Sequence, residues 1–178
     1  HDSPKYVEEG IPFVTQKNVT QEGLNFEKVR FITSEDHQKF YKRSNVAFSD
    51  ILISMIGANR GMACIVDDKR VFSIKNVGLI KSSSEVVPKF LLYYLKSPSA
   101  LDHVESLSKG SAQGFIGLGA LRAFPMSLPN IESQDLVAEK LDALSEETKR
   151  LEAIYERKEA ALAELKQSLL QKAFAGEL

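Results

Sequence analysis

The chain has 178 residues, of which 43% are hydrophobic and 26% are charged, and its net charge is −1. It contains no apolar run of about 18 residues, so no transmembrane helix is predicted, and its polar start does not resemble a signal peptide. Its single cysteine, Cys64, excludes a disulfide within the chain and favours a reducing, cytoplasmic setting. Cys64 itself is expected to be a small buried apolar residue.

The first part of the chain alternates short apolar runs with polar turns. Strands are predicted at 11–15, 31–32, 50–56, 62–66, 71–74 and 77–81. Val87-Pro88 and Ser97-Pro98 each predict the start of a helix, because proline is favoured in a first turn, and Gly110 is expected to end the second helix. This pattern predicts the α+β class, with mixed or antiparallel short strands and a few helices.

The second part has a different composition. Residues 131–175 contain no Pro or Gly and are rich in Ala, Glu, Leu and Lys, which predicts one long helix. Asn130 or Ser133 can cap its start, and Gly176 can close its end. We therefore expect a globular domain at 1–130 and a helical arm at 131–178.

The two parts also differ in charge. Residues 1–130 carry 16 Lys and Arg against 13 Asp and Glu, whereas residues 131–178 carry 7 against 11. A mildly basic domain permits a polyanionic partner but does not require one.

Apolar residues recur along the arm at alternating spacings of three and four, which is typical of a coiled coil. They form an apolar stripe of Leu141, Leu144, Leu151, Tyr155, Leu162, Leu165 and Leu169, and Thr148 and Lys158 are polar positions in the same frame. At 1.5 Å per residue the helix is about 65 Å long, more than a compact domain can cover. The stripe is thus predicted to pair with another long helix; the alternative is a helix packed on its own domain.

An enzymatic function is also possible, because Phe115–Gly119 reads F-x-G-x-G, a string found in the S-adenosylmethionine pocket of DNA adenine methyltransferases. The residues before it make a poor strand, and no Pro-Pro pair exists to hold a flipped adenine. The three histidines have no metal-ligand spacing, and no phosphate-binding loop motif occurs. We therefore predict no catalytic residues, no cofactor and no metal.

Several segments together resemble the DNA-specificity subunit of type I restriction–modification systems. They are DSPKYVEEGIPFV (2–14), QKNV (16–19), SDILISMIG (49–57), GSAQ (110–113), FPMSLPN (124–130) followed by QDLV (134–137), and LLQKAFAGEL (169–178). The resemblance covers nearly the whole chain. It departs from the family pattern at Ser49, where Gly is usual, and at Asn130, where a second Pro is common.

The resemblance implies a division of labour. A target-recognition domain would read a half-site in double-stranded DNA, and a helical spacer would dock the modification (methyltransferase) subunits and, through them, the restriction subunits. Methyl transfer and cleavage would belong to those other subunits. A full subunit has two such domains and two spacers, so this chain is expected to be a half-length form or a fragment. A half-length form would be a homodimer joined through antiparallel helices.

Candidate DNA contacts are loop residues that combine cations with amides, because phosphates bind cations and base edges bind forked donors and amides. The loops are Gln16-Lys17-Asn18, Lys42-Arg43-Ser44-Asn45, Asn59-Arg60 and 109–113. The predicted DNA-binding residues are Lys17, Asn18, Arg43, Asn59, Arg60, Lys109 and Gln113. Each could instead be a solvated surface residue, and Gln113 could bond its own loop. A coiled-coil adaptor that does not touch DNA is the remaining alternative.

Overall fold

A computed structural model of the protein describes residues 3–57, 59–108 and 115–177. The strands are β1 (Tyr6–Val7), β2 (Ile11–Val14), β3 (Arg30–Ile32), β4 (Ile51–Ser54), β5 (Ala63–Ile65), β6 (Ser73–Ile74) and β7 (Val77–Ile80). The helices are α1 (Ser34–Ser44), α2 (Pro88–Leu95), α3 (Pro98–Ser108), α4 (Leu118–Arg122) and α5 (Ile131–Ala175). The predicted α+β class is confirmed. The chain divides into two compact units, His1–Asp135 and Leu136–Leu178.

The first sheet has the strand order β1–β3–β2–β6. β3 is antiparallel to both of its neighbours, whereas β2 and β6 run parallel, with Val14 opposite Ile74. One face of this sheet carries the buried side chains of Phe13 and Ile32, which pack against Phe40 of α1. This contact holds α1 on the sheet.

The second sheet has the order β5–β4–β7 and is antiparallel throughout. All four residues of β4 are buried, in agreement with the apolar run from which this strand was predicted. Gly78 of β7 lies so close to its neighbours that a Cβ there would be 2.7 Å from the side chains of both Ile53 and Leu121. A side chain at residue 78 would therefore collide with β4 and α4.

Helix α1 was not predicted from the sequence, and the predicted loop at Lys42–Asn45 is wrong. Lys42, Arg43 and Ser44 form its last turn, and Asn45 ends it in the left-handed conformation at φ 45°. Thr33 caps the start by accepting a hydrogen bond from Asp36 N–H (3.2 Å). Helix α1 was missed because its composition is mostly polar, so the apolar periodicity that identifies helices is weak in this segment.

Helices α2 and α3 begin where the Val87-Pro88 and Ser97-Pro98 pairs predicted. Ser97 Oγ accepts a hydrogen bond from Ala100 N–H (3.3 Å), which is the expected capping contact. The proposed end of α3 at Gly110 lies outside the described residues.

Helix α5 runs from Ile131 to Ala175, as predicted. Of the two candidate caps, Asn130 is the one used, because its Oδ1 accepts from Ser133 N–H (2.9 Å). At the other end Gly176 is left-handed at φ 73°, and Glu177 N–H donates to Lys172 O (2.9 Å). This is the hydrogen-bond pattern of a Schellman motif, so both ends of the helix are defined by specific residues.

Gln134, in the first turn of α5, is almost completely buried, with 1% of its surface exposed. Its Oε1 accepts from Val87 N–H (2.9 Å), and its Nε2 donates to Glu85 O (3.0 Å) and Pro129 O (2.8 Å). Two of these hydrogen bonds anchor the start of α5 to the residues just before α2, and the third binds the segment that leads into α5.

We predict that Gln134→Ala lowers the free energy of unfolding by about 2 kcal/mol, because it leaves one N–H and two carbonyl groups without their partner. Urea denaturation at one fixed protein concentration measures the change. Glu132→Ala, an exposed position in the same turn, is the matched control and should change stability by less than about 0.5 kcal/mol. Equal midpoints for the two variants would show that Gln134 is not an anchor.

Candidate nucleic-acid interface

Lys17 and Asn18 lie in a 3-10 turn, Gln16–Asn18, directly after β2. Lys17 is exposed, whereas Asn18 is 5% exposed. Asn18 Oδ1 accepts from Thr15 N–H (2.9 Å), and its Nδ2 donates to Asn25 O (3.0 Å). The amide of Asn18 is thus engaged in holding two loops together, while Lys17 presents its charge to solvent.

Arg43 lies in the last turn of α1 and is exposed. Its Cζ is 5.9 Å from the ring centroid of Phe40, a buried residue one turn earlier. The carboxyl end of α1 is a favourable place for a cation because of the helix dipole.

Lys75, which was not predicted from the sequence, contacts the ring of Phe40 as well. It follows β6 directly, and its N–H donates to Val14 O (2.9 Å). Its Nζ is 5.7 Å from the Phe40 centroid. No local pattern signals this residue, because its position depends on the parallel pairing of β6 with a strand some sixty residues earlier.

Arg30, also not selected from the sequence, begins β3 and is exposed. Its Cζ lies 3.8 Å from the ring centroid of Tyr6. Since β3 is antiparallel to β2, it begins at the edge where the parallel strands β2 and β6 end. Four cations therefore belong to this edge of the first sheet or to the adjoining end of α1, and we call them the basic edge: Lys17, Arg30, Arg43 and Lys75.

Asn59 and Arg60 lie between β4 and β5, at the tip of the predicted hairpin, which the structure confirms. Arg60 forms an ion pair with Glu105 of α3, with 3.1 Å between Nη2 and Oε2. On the other side of the chain segment 109–114, Ile116 N–H donates to Met55 O (2.9 Å). Described residues on both sides of this segment thus contact the β4–β5 hairpin. Lys109 and Gln113 themselves lie outside the described residues.

Helix α1 is also tied to β6 by a polar contact. His37 Nδ1 and Ser73 Oγ are 2.9 Å apart, and Ser73 is completely buried. A serine in this position is a structural partner of the histidine, because no substrate could reach its hydroxyl.

Asp50 is a buried carboxylate that joins three segments. Its Oδ2 accepts from Ala47 N–H (2.8 Å) and from Lys81 Nζ (2.5 Å), and its Oδ1 accepts from Ser82 N–H (2.9 Å). Lys81 Nζ also donates to Asn45 O (2.7 Å) at the end of α1. The side chain of Asp50 is 0% exposed, so these donors take the place of the water that an exposed carboxylate would bind.

The residue before it, Ser49, has φ 68°, in the left-handed region that favours glycine. This is the position where the family pattern has Gly. Ser49 N–H still donates to Val66 O (2.8 Å), so the turn into β4 keeps its hydrogen bond despite the less favourable residue.

Other reactive groups have structural surroundings. Burial raises the pKa of the Cys64 thiol to about 12, so it stays protonated and packs as an apolar residue. The hydrogen bond from Arg70 lowers the pKa of Asp68 and in turn raises the pKa of Arg70, which keeps both charged. Phe115 is exposed and Gly117 precedes α4, so the F-x-G-x-G string leads into a short helix.

The residues of the apolar stripe on α5 are mostly exposed. The exposed fraction is 63% for Leu144, 62% for Tyr155 and 65% for Leu162, and Leu151, Leu165 and Leu169 are also exposed, whereas Leu141 is half-buried. Thr148 Oγ1 donates to Leu144 O (2.8 Å) within its own helix, and Lys158 Nζ lies 5.4 Å from the Tyr155 ring centroid.

In the described part of the chain, none of the helices is both long enough and apolar enough to cross a membrane. Within residues 3–57, 59–108 and 115–177, no group of His, Cys, Asp and Glu is arranged to hold a metal ion.

The chain belongs to the family of type I restriction modification DNA specificity domains, whose model matches residues 2–160. It is 28% identical over 173 residues to the type I restriction enzyme EcoBI specificity subunit of Escherichia coli. That alignment covers 97% of this chain but 36% of the E. coli subunit, so the chain spans about a third of the length of this relative.

A solved structure shares the fold. One chain from a structural study of complex assembly and conformational transition in the type I R-M system superposes with a TM-score of 0.74 at 23% identity. The superposition covers 99% of this chain and 42% of that one.

We predict that Asp50→Ala lowers the free energy of unfolding by about 3 kcal/mol, since three hydrogen bonds to a charged acceptor are lost. Asp67→Ala, which removes an exposed carboxylate from the same unit, should cost less than about 0.5 kcal/mol. Chemical denaturation of both variants measures the difference. If the two variants lose stability equally, the hydrogen bonds of Asp50 do not hold together the segments that it contacts.

Proposed function

We propose that this chain is the DNA-reading part of a type I restriction–modification specificity subunit, acting in the cytoplasm. Its globular part, 1–130, would be a target-recognition domain for a half-site in double-stranded DNA, and 131–178 would be the helical spacer. The observation that carries the proposal is the family match over residues 2–160. The excess of cations in the globular part and the basic edge support it.

The proposal assigns methyl transfer and DNA cleavage to other subunits. Modification subunits would dock on the helical spacer and bring the restriction subunits with them. The name of the E. coli relative, a specificity subunit of a restriction enzyme, supports such partners. The surroundings of Phe115–Gly119 support a role without S-adenosylmethionine, because the string leads into α4 and Ile116 is held by Met55.

Within the globular part, the predicted DNA contacts divide into two groups. Lys17 and Arg43 belong to the basic edge. Asn59 and Arg60 lie on the β4–β5 hairpin, and we propose that Lys109 and Gln113 act beside them, since both flanks of their segment contact that hairpin. For Asn18 we propose an indirect role, because its amide already bonds Thr15 and Asn25.

A methylome tests the function as a whole. In cells that carry the complete system, we expect one methylated motif in two separated parts, which disappears when this chain is deleted. Two identical copies in the complex would give symmetric halves. A motif that persists without the chain would contradict DNA reading, and a footprint of the full complex without protected bases would favour the adaptor alternative.

We also propose that α5 pairs with a second long helix in antiparallel orientation, and that a second copy of this chain supplies it where the chain acts as a half-length subunit. The exposed apolar stripe supports the pairing, because such a surface is buried in stable coiled coils. Antiparallel arms would hold two globular parts at opposite ends of the pair, as two separated half-sites require.

We expect the chain to have the mass of a dimer by light scattering at tens of micromolar. Leu151→Glu combined with Leu162→Glu should give a monomer, because it places carboxylates in the apolar stripe. The control, Ala153→Glu with Gln167→Glu, adds the same charge at positions off the stripe and should remain dimeric. A monomeric wild-type chain, or equal effects of both pairs, would overturn self-pairing.

A further inference from the structure

Two cations from distant parts of the chain share one aromatic ring. Arg43 Cζ and Lys75 Nζ lie 5.9 Å and 5.7 Å from the centroid of Phe40. The ring is only 8% exposed, so it is a fixed part of the core and not a mobile surface group. Attraction of each cation to the ring offsets part of the repulsion between the two charges.

The backbone holds both cations in place. Lys75 is fixed by its N–H bond to Val14 O and by the pairing of Ile74 with Val14. Helix α1, which carries Arg43, is fixed by the contact between His37 and Ser73 (2.9 Å). Both charges lie within 6 Å of one ring centroid on elements whose backbones are fixed, an arrangement that suits an anion with several negative groups.

The charge continues along a row of aromatic rings. Phe40 is 5.0 Å from Phe13, and Phe13 is 6.2 Å from Tyr6, measured between ring centroids. Arg30 lies over Tyr6 at the far end of this row. The acidic residues of α1, Glu35 and Asp36, are in its first turn, away from the basic residues of its last turn. Asp36 Oδ2 accepts from Lys5 N–H (2.7 Å), next to Tyr6 in the chain, so the excess of positive charge is greatest at Arg43 and Lys75.

We propose that the basic edge contacts DNA phosphates with Arg43 and Lys75 at its centre, and that base reading is left to the β4–β5 hairpin. This inference rests on the proposed function and adds Lys75 and Arg30 to the DNA contacts. None of the four side chains of the basic edge is an amide, and three of them, Arg30, Arg43 and Lys75, lie against aromatic rings. Cations held in this way suit positioning on the DNA backbone. The hairpin carries Asn59, an exposed amide whose donor and acceptor suit a base edge, whereas Arg60 is already paired with Glu105.

Salt dependence tests the assignment. The complex of this chain with its modification subunits is titrated with two short duplexes, one containing the motif from the methylome and one of scrambled sequence, between about 50 and 200 mM salt. Lys75→Gln should reduce the slope of log K against log salt by about 1 on both duplexes, and leave their affinity ratio unchanged. Lys75→Arg keeps the charge and should retain the slope.

The controls separate position from charge. Lys89→Gln removes one cation from α2, which packs on the second sheet, and should leave the slope unchanged. Asn59→Ala on the hairpin should instead lower the affinity ratio between the two duplexes without changing the slope. Arg43→Gln, at an exposed position, repeats the Lys75 test should Lys75→Gln fail to fold.

Unchanged slopes for folded Lys75→Gln and Arg43→Gln would overturn the inference, and so would a loss of affinity confined to the motif duplex. If the wild-type complex still prefers the motif duplex, the proposed function survives that result. A wild-type complex that does not distinguish the two duplexes contradicts the proposed function itself.

Discussion

The fold of the globular unit depends on one buried carboxylate. Asp50 stands at the start of β4, and its two oxygens accept from the turn before the strand and from the residues after β7. Through Lys81, the same network reaches the carbonyl of Asn45 at the end of α1. A helix that packs on the first sheet is thereby joined to two strands of the second. A carboxylate with no exposed surface is stable only with such a complete set of donors.

The hydrogen-bond network of Asp50 also helps to position part of the candidate DNA surface. Asn45 follows Arg43 by two residues, so the network that holds the end of α1 holds the helical turn from which Arg43 projects. On the first sheet, the contact of Ser73 with His37 fixes α1, and the pairing of β2 with β6 fixes the backbone at Lys75. The interior of the unit thus fixes the backbone of the elements that carry these cations, and under the proposed function such preorganisation lowers the entropic cost of binding a polyanion.

Much of the fold could be predicted from the sequence, where the signal was local. The apolar run of β4, the proline-started helices and the uninterrupted α5 each carry a pattern within a few residues, and the structure has them. Helix α1 was missed because its face toward the sheet is small and its composition is polar. The left-handed backbone at Ser49 could not be predicted, since glycine is the residue that indicates this conformation in a sequence.

The candidate site was less predictable for a different reason. Loop composition could select Lys17 and Asn59, because they lie in turns that the sequence marks. It could not distinguish the exposed Lys17 from the buried Asn18 beside it. Nor could it find Lys75 or Arg30, whose significance comes from strand pairing between residues far apart in the chain.

The two polar residues of the apolar stripe, Thr148 and Lys158, differ in how they affect the alignment of two paired α5 helices. The hydroxyl of Thr148 is already bonded to Leu144 O, so it can be buried against any neighbouring helix at little cost. The ammonium group of Lys158 lies near the ring of Tyr155, but it still requires hydrogen bonds to water or to a carboxylate. Sliding one arm along another would therefore be penalised wherever Lys158 meets an apolar neighbour. A single lysine can select one register among several that leucines alone would accept.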